Sequence, residues 1–168
     1  MREQLIKLAS LTLLTGQMGA EKTTMSNRLA SDYDDVYHSD VGYVDKKTGT
    51  YVIPKGEEKR KAIAAKMRAI LASHKAGRRV LLDGYPNSMT GDYAPLLPHV
   101  DKVLHLDHGP IRSNYAVVRR SFERGSSPWA DLKYALGDRK ATNASLQQIK
   151  DAVGKDRVSV IDRSYREG

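Results

Sequence analysis

A glycine, a lysine and a threonine near the N-terminus stand at the spacing of a phosphate-binding loop. Gly16 is followed by four residues and then by Glu21, Lys22 and Thr23, so the stretch matches G-x-x-x-x-G-K-[ST] with Glu21 in place of the second glycine. In such a loop backbone N–H groups surround nucleotide phosphates, the lysine reaches the β- and γ-phosphates, and the threonine hydroxyl joins a Mg²⁺ shell. The chemistry indicated is binding of ATP with Mg²⁺ and phosphoryl transfer.

The elements on both sides of this loop have the character that its position requires. Leu11, Leu13 and Leu14 form an apolar run that predicts a buried strand over 11–15, and a helix is predicted over 22–31. A glycine-containing turn with a lysine after it by chance is the alternative. Such a turn would not need a buried strand before it and a helix after it. The residues expected to bind the nucleotide are Gly16, Gln17, Met18, Gly19, Ala20, Glu21, Lys22, Thr23 and Thr24.

Glu21 is the one residue that breaks the motif. A carboxylate within about 4–6 Å of phosphates repels them. Three interpretations of Glu21 are open. Its side chain points outward and has no effect, or it pairs with Lys22 and lowers nucleotide affinity. In the third, the chain is a variant whose catalysis is switched off. The sequence does not rank the last two interpretations. We predict weaker ATP binding in this chain than in its Glu21→Gly variant.

Composition sets limits on the class of protein. The chain has 168 residues, no cysteine and a formal net charge of +8 at pH 7. This length favours a single domain over 1–168, and a chain without cysteine has no disulfide, thiolate metal site or thiol nucleophile. No apolar run approaches the ~20 residues of a membrane span. We therefore expect no membrane partner, and the cytoplasm is the simplest location.

The positive charge is concentrated in four segments, which are 46–47, 55–68, 78–79 and 119–124. Solvated helix faces and phosphate-binding arginines would account for it. The more specific interpretation is that the protein binds a larger anionic partner, DNA or RNA. No motif of a known nucleic-acid module accompanies the charge.

Strands and helices alternate along the whole chain. The predicted strands are 11–15, 36–40, 79–83, 103–107 and 158–162. The predicted helices are 22–31, 57–76, 110–124 and 144–153, with an irregular excursion over 42–54 and a break at 125–128. Gly77 ends the second of these helices. Short apolar strands separated by helices predict an α/β fold, a five-stranded parallel sheet in a three-layer α/β/α arrangement.

A second motif ends the third predicted strand. In Leu81-Leu-Asp-Gly-Tyr-Pro86 the acidic Asp83 follows an apolar run, which suits a ligand of Mg²⁺ held directly or through water. With the phosphate-binding loop, this motif resembles the adenylate kinase-like nucleoside monophosphate kinases, whose third strand ends in Asp-Gly-Phe/Tyr-Pro-Arg. The resemblance implies the P-loop kinase fold, with Thr23 and Asp83 as the metal-binding residues.

The same resemblance implies a short lid whose arginines grip the phosphates. The lid-like segment is 119–140, and Arg120, Arg124 and Arg139 join Lys22 as candidate catalytic residues. Guanidinium groups suit this task because they bind phosphate oxygens in pairs and neutralise their charge.

The chain also departs from that family beside the acceptor. Asn87 stands where those kinases carry an acceptor-binding arginine, and the segment His38 to Tyr43 has no nearby arginine. Asp40 at the end of the second strand is instead what a kinase of hydroxyl acceptors uses as a general base. A helix cap or a solvated loop residue is the alternative for Asp40. Segment 42–76 is a candidate acceptor-binding insertion.

The residues expected to bind the acceptor are Asp40, Tyr43, Asp83, Gly84, Tyr85 and Asn87. The leading hypothesis is ATP- and Mg²⁺-dependent transfer to a nucleotide-type acceptor, most simply a (deoxy)nucleoside monophosphate. The alternative is a kinase of a nucleic-acid hydroxyl, either a polynucleotide 5′-OH or a hydroxymethylated pyrimidine in DNA, as in phage DNA modification, with Asp40 as base. The third hypothesis is a nucleotide-binding module impaired by Glu21.

Overall fold

A computed structural model of the chain describes residues 10–16, 22–107 and 109–162. Its strands are β1 (Ser10–Gly16), β2 (Asp35–His38), β3 (Tyr43–Val44), β4 (Tyr51–Val52), β5 (Arg79–Gly84), β6 (Lys102–Asp107) and β7 (Val158–Asp162). Its α-helices are α1 (Lys22–Leu29), α2 (Gly56–Lys75), α3 (Pro86–Thr90), α4 (Gly109–Arg124) and α5 (Pro128–Val153). Short 3₁₀ helices cover Ala30–Asp32, Ala94–His99 and Lys155–Arg157.

Five of the strands form one parallel sheet in the order β2-β5-β1-β6-β7. In its register Leu14 pairs with Asp83, and His38 pairs with Asp83 from the other side. The carboxyl ends of β1, β2 and β5 therefore meet at one edge. In an open α/β sheet this edge is where ligands bind, so the predicted fold class is confirmed and the motif residues converge.

The sheet is buried on both faces, as the three-layer prediction requires. On one face Leu13, Leu82 and Val103 lie in a core cluster with Ile70 of α2 and Ile149 of α5. On the other face a second buried cluster packs against α1 and consists of Leu14, Leu81, Leu104 and Leu106, with Met25 and Leu29 from the helix. Each fully buried aliphatic side chain contributes about 1.5–3 kcal/mol, so this packing fixes the edge that carries the site.

The predicted boundary of the last helix is wrong. The sequence pattern predicts a start at Ala144, but α5 begins at Pro128 and includes the second half of the lid-like segment. Ser127 caps this helix by accepting a hydrogen bond from the Ala130 N–H (3.4 Å), and proline suits the first helical position. The pattern hides the helix because its first half is mostly exposed and contains Gly137, which reads as a loop residue.

The segment predicted as irregular contains an antiparallel hairpin. Strands β3 and β4 pair Tyr43 with Val52, and Asp45 closes the turn through backbone hydrogen bonds with Gly49 and Thr50 (both 2.8 Å). Two-residue exposed strands have no hydrophobic alternation to reveal them. The rest of segment 42–76 is largely α2, whose buried Ile63 and Ile70 belong to the core, so within this segment the hairpin stands apart from the layered fold.

Two other predicted boundaries were tested. Helix α2 ends close to its predicted bound, with Gly77 just beyond it at φ +80°, a left-handed conformation that favours glycine. Strand β2 ends at His38, so Asp40 lies two residues past the strand and not within it. Among the described residues, no helix is long and apolar enough to cross a bilayer.

Candidate active site

The carboxyl edge of the sheet opens into a cavity of about 290 Å³. Among the described residues, eight that line it were predicted as site residues and two, His38 and Ser39, were not. These described lining residues are Lys22, Thr23, Thr24, His38, Ser39, Asp40, Asp83, Gly84, Tyr85 and Arg120. The cavity thus brings together the phosphate-binding lysine, both candidate metal residues and the candidate base.

Lys22 lies against the third-strand motif. Its Nζ is 3.7 Å from the centroid of the Tyr85 ring and donates a hydrogen bond to the Gly16 carbonyl oxygen (3.4 Å). Burial lowers the pKa of Lys22 to about 8, while the negative charges of Asp83 and Asp138 oppose that shift. A cation over an aromatic face is attracted by the ring quadrupole. Tyr85 therefore holds the ammonium inside the cavity, next to where phosphates would bind.

Asp83 is 8% exposed, and it links β5 to the end of the neighbouring strand β2. Its Oδ2 lies 2.6 Å from His38 Nδ1, and its backbone oxygen accepts a hydrogen bond from the Ser39 N–H (2.8 Å). The histidine fixes one carboxylate oxygen and leaves the other for the cavity. No sequence motif identifies His38 as a site residue. What identifies it is the strand register, which places His38, at the end of β2, opposite Asp83.

The residues present fit Mg²⁺. The Thr23 hydroxyl and the Asp83 carboxylate line the same cavity and offer the hard oxygen donors that Mg²⁺ prefers. In the part of the chain that the structure describes, no three His, Cys, Asp or Glu side chains form a metal cluster. A magnesium ion here would complete its shell with phosphate oxygens and water, which is its usual habit in sites that handle nucleotides.

Gly84 is required by packing beside Asp83. A Cβ on this residue would lie 2.3 Å from Ser39 Oγ and 2.7 Å from Met89 Cε. No real Cβ approaches other atoms so closely, so the end of β2 and helix α3 can reach β5 only because this residue is glycine. The predicted acceptor-site glycine thus shapes the cavity wall.

Asp40 is held from two directions. Its Oδ1 accepts a hydrogen bond from the Gly42 N–H (2.8 Å) and its Oδ2 accepts one from the Tyr51 hydroxyl. The Tyr51 hydrogen bond, followed by that from Gly42, lowers the pKa of Asp40. A Cβ on Gly42 would overlap the Tyr51 ring, so glycine there permits the contact. Asp40 is therefore a fixed, ionised carboxylate facing the cavity.

Two further side chains hold the backbone around Asp40. Lys66 Nζ donates hydrogen bonds to the carbonyl oxygens of His38 (2.5 Å) and Asp40 (2.6 Å). The hydroxyl of the buried Tyr93 donates to the Ser39 carbonyl oxygen (2.7 Å). Sequence reasoning missed both residues. The one sequence signal for Lys66 is its position on α2, one turn from the buried Ile63 and Ile70. A lysine is unusual on a buried helix face.

Two predicted acceptor-binding residues do not line the cavity. Tyr43 lies on β3 with an exposed side chain, and Asn87 is exposed on α3. The predicted arginines separate in a similar way. Arg120 lines the cavity, Arg124 lines a second cavity described below, and Arg139 lines neither. Of these three predicted arginines, Arg120 alone lines the cavity that contains Lys22.

Part of the phosphate-binding loop lies outside the described residues. Gly16 is the buried last residue of β1, and Lys22 begins α1. Between them, the predicted nucleotide-binding residues Gln17, Met18, Gly19, Ala20 and Glu21 are not described. The predictions about Glu21 therefore stay predictions.

Comparison with known proteins was informative for structure alone. No protein-family profile matches the chain, and no curated protein is similar in sequence. Among solved structures, a chain of the Pnkp1/Rnl/Hen1 RNA repair complex matches with a TM-score of 0.58 and 14% identity over 82% of this chain. That match spans 46% of the repair protein, so this chain corresponds to less than half of it.

Two further structures match over most of both chains. A putative fructose transport system kinase from Silicibacter sp. TM1040 has a TM-score of 0.54 and 16% identity, over 88% of this chain and 91% of that one. Shikimate kinase from Acinetobacter baumannii has a TM-score of 0.53 and 18% identity, over 98% and 88%. The chain has the P-loop kinase fold, as its phosphate-binding motif predicts.

Proposed function

We propose that this chain transfers the γ-phosphate of ATP, with Mg²⁺, to a hydroxyl group of its acceptor. The observation that carries the proposal is Asp40, a fixed carboxylate in the same cavity as Lys22 and Asp83. The P-loop kinase fold supports phosphoryl transfer in general. The nature of the acceptor follows from what Asp40 can accommodate.

The donor half of the cavity contains Lys22, Thr23 and Asp83. Lys22 would contact the β- and γ-phosphates, and Thr23 with Asp83 would hold Mg²⁺. The ion, when bound, neutralises charge that develops on the transferred group. Arg120, which lines the same cavity, would supply a second positive charge for the same oxygens. Together these groups would position the phosphates and neutralise their negative charge, which accounts for most of the catalysis in phosphoryl transfer.

Asp40 places a negative charge on the acceptor side of the cavity, and the Lys66 ammonium is bound to the backbone oxygen of Asp40. Asp40 has a lowered pKa and is ionised at neutral pH, so the phosphate of a nucleoside monophosphate beside it would meet a like charge. A hydroxyl would instead donate a hydrogen bond to Asp40. A carboxylate has about four lone-pair sites, and Gly42 and Tyr51 use two of them. In a loose transition state the proton leaves late, so orientation of the hydroxyl matters more than basicity of Asp40.

A nucleoside monophosphate is the second candidate acceptor. Asp83-Gly84-Tyr85-Pro86 and the placement of Arg120 in the cavity favour it. Arg120 would then have to bind the acceptor's phosphate while Asp40 turned away from it. Because Asp40 is held at both oxygens, the hydroxyl acceptor is the better supported of the two.

The test is a comparison of Asp40→Asn with a matched control. Asp92→Asn removes the same charge from an exposed aspartate that forms an ion pair with Lys59 (3.4 Å). With a 5′-OH oligonucleotide as acceptor, Asp40→Asn should lower kcat by about 10²-fold or more, whereas Asp92→Asn should not change it. Transfer to a deoxynucleoside monophosphate with full activity in Asp40→Asn would overturn the proposal in favour of the second candidate.

A further inference from the structure

A second cavity of about 230 Å³ lies between α4 and α5, close to where residues 125–127 connect them. Its lining is Val117, Arg120, Ser121, Arg124, Asp131 and Tyr134. Arg120 lines this cavity and also the phosphoryl-transfer cavity. The two cavities are therefore neighbours with one arginine between them, and a ligand longer than a single residue can extend from one into the other.

The charges in the second cavity suit an anion. Arg120 and Arg124 are exposed, and within the described residues neither guanidinium forms a hydrogen bond or an ion pair, although the charge of Arg124 contributes to the lowered pKa of Asp131. The Asp131 carboxylate is already engaged, because the hydroxyls of Ser121 (2.5 Å) and Ser126 (2.6 Å) both donate to it. Both hydrogen bonds go to Oδ2, and two arginines against this one carboxylate leave the lining net positive. A phosphodiester, with its single negative charge, matches that balance.

The second cavity also offers a stacking surface. Tyr134 is 65% exposed and lines it, while Val117 contributes a buried apolar side chain. Exposed aromatic rings and guanidinium planes stack unpaired bases in proteins that bind single strands. A large ring left in solvent next to two available arginines is thus the arrangement expected for a nucleotide and not for a free inorganic anion.

We infer that the second cavity receives the nucleotide that follows the acceptor residue in a single-stranded nucleic acid. Arg124 binds its phosphodiester and Tyr134 stacks its base, while the terminal hydroxyl reaches Asp40. This assignment rests on the proposed function, since it places the acceptor hydroxyl in the first cavity. This assignment also accounts for the net charge of +8, because neutralising successive phosphates is the main source of affinity for nucleic acids.

The test measures binding without ATP, so that it does not depend on catalysis. Fluorescence anisotropy would follow labelled single-stranded oligonucleotides with a 5′-OH, in DNA and RNA forms, from two to six residues long. The Arg124→Ala variant should bind at least about fivefold more weakly, and its plot of log K against log salt should be shallower by about 0.7, the contribution of one phosphate contact. Tyr134→Ala should lower affinity by at least about fivefold with an unchanged slope.

Two control variants keep the result specific. Tyr134→Phe retains the ring and should restore binding. Arg60→Ala removes an exposed arginine from α2, outside both cavities, and should leave affinity close to that of the unchanged chain. Equal affinity in the unchanged chain, Arg124→Ala and Tyr134→Ala would overturn the assignment, as would weakened binding of ATP in these variants with oligonucleotide binding intact, because the second cavity would then hold the donor base.

A parallel transfer assay separates this inference from the proposed function. Phosphorylation of small alcohols or nucleosides without any oligonucleotide binding would contradict the second-cavity assignment and leave the hydroxyl-kinase proposal standing. Oligonucleotide binding that follows the variants as predicted, with no phosphoryl transfer to any acceptor, would support the assignment and contradict the proposed function.

Discussion

The Tyr51 hydroxyl donates a hydrogen bond to Oδ2 of Asp40, which ties the β3–β4 hairpin to the acceptor side of the cavity. The contact depends on Gly42, where any side chain would overlap the Tyr51 ring. Gly42 also donates its N–H to the other oxygen of Asp40. A surface hairpin outside the layered core thus orients the candidate base and lowers its pKa.

Replacing Tyr51 by Phe should therefore move the acid limb of activity. In the unchanged chain the Tyr51 hydrogen bond is the largest cause that lowers the pKa of Asp40. Without it that pKa rises, Asp40 takes up a proton at higher pH, and the acid limb of kcat/KM shifts upward. The measurement is a pH profile of kcat/KM for the acceptor. Tyr43→Phe, in the same hairpin but away from the cavity, is the control and should leave the profile in place. An identical profile in all three proteins would exclude Asp40 as the titrating group.

Lys22 should produce the basic limb for ATP. Burial lowers its pKa to about 8, so the ammonium is charged at pH 7 and loses its proton as pH rises through that value. With one such group, kcat/KM for ATP should fall about tenfold between pH 7 and pH 9. Lys22→Arg keeps the charge at all these pH values. Its activity should be lower but without that basic limb, and a limb that persisted in Lys22→Arg would assign it to another group.

Two glycine-to-alanine changes should have opposite effects on stability. Gly84→Ala puts a methyl group against Ser39 and Met89 and should destabilise the fold by about 1–3 kcal/mol. Gly137→Ala, in an exposed turn of α5 with open space around it, should stabilise the fold by about 0.5–1 kcal/mol. Urea unfolding followed by circular dichroism measures both. Equal effects of the two changes would contradict the packing described around Asp83.

Glu21 should weaken nucleotide binding. The sequence places its carboxylate next to Lys22 in the phosphate-binding loop, where it opposes the approach of phosphate oxygens. We predict that Glu21→Gly binds ATP more tightly in titration calorimetry. Glu21→Gln is the matched control, because it removes the charge and keeps the side chain. A gain in both variants would identify charge as the cause, whereas equal or tighter binding by the unchanged chain would refute the prediction.

The layered fold could be predicted because its signals are local. Short apolar runs such as 79–83 and 103–107, separated by helical segments, favour buried strands, and all five sheet strands were predicted. The first half of α5 could not be found, since it exposes most of its side chains and has little hydrophobic period. The hairpin also escaped prediction, because each of its strands has two residues and its stability comes from the turn and from Tyr51.

Short sequence motifs pointed to part of the candidate site. The phosphate-binding loop motif predicted Lys22 and Thr23, a second motif predicted Asp83, and these three residues line one cavity. His38, Lys66 and Tyr51 escaped prediction because they act through contacts made across the sheet edge, which depend on strand register and on helix placement. Periodicity assigns a residue to a strand or helix, but it does not say which residue of a distant element lies opposite.

The chemical linkage of the transferred phosphate tests the central claim most directly. The chain and its Glu21→Gly variant would each receive γ-labelled ATP, Mg²⁺, a 5′-OH oligonucleotide and a deoxynucleoside monophosphate in one mixture. We predict a phosphomonoester on the oligonucleotide hydroxyl, stable to conditions that hydrolyse phosphoanhydrides, and its loss in Asp40→Asn. Label in a phosphoanhydride on the mononucleotide, made equally well without Asp40, would contradict the account of this site.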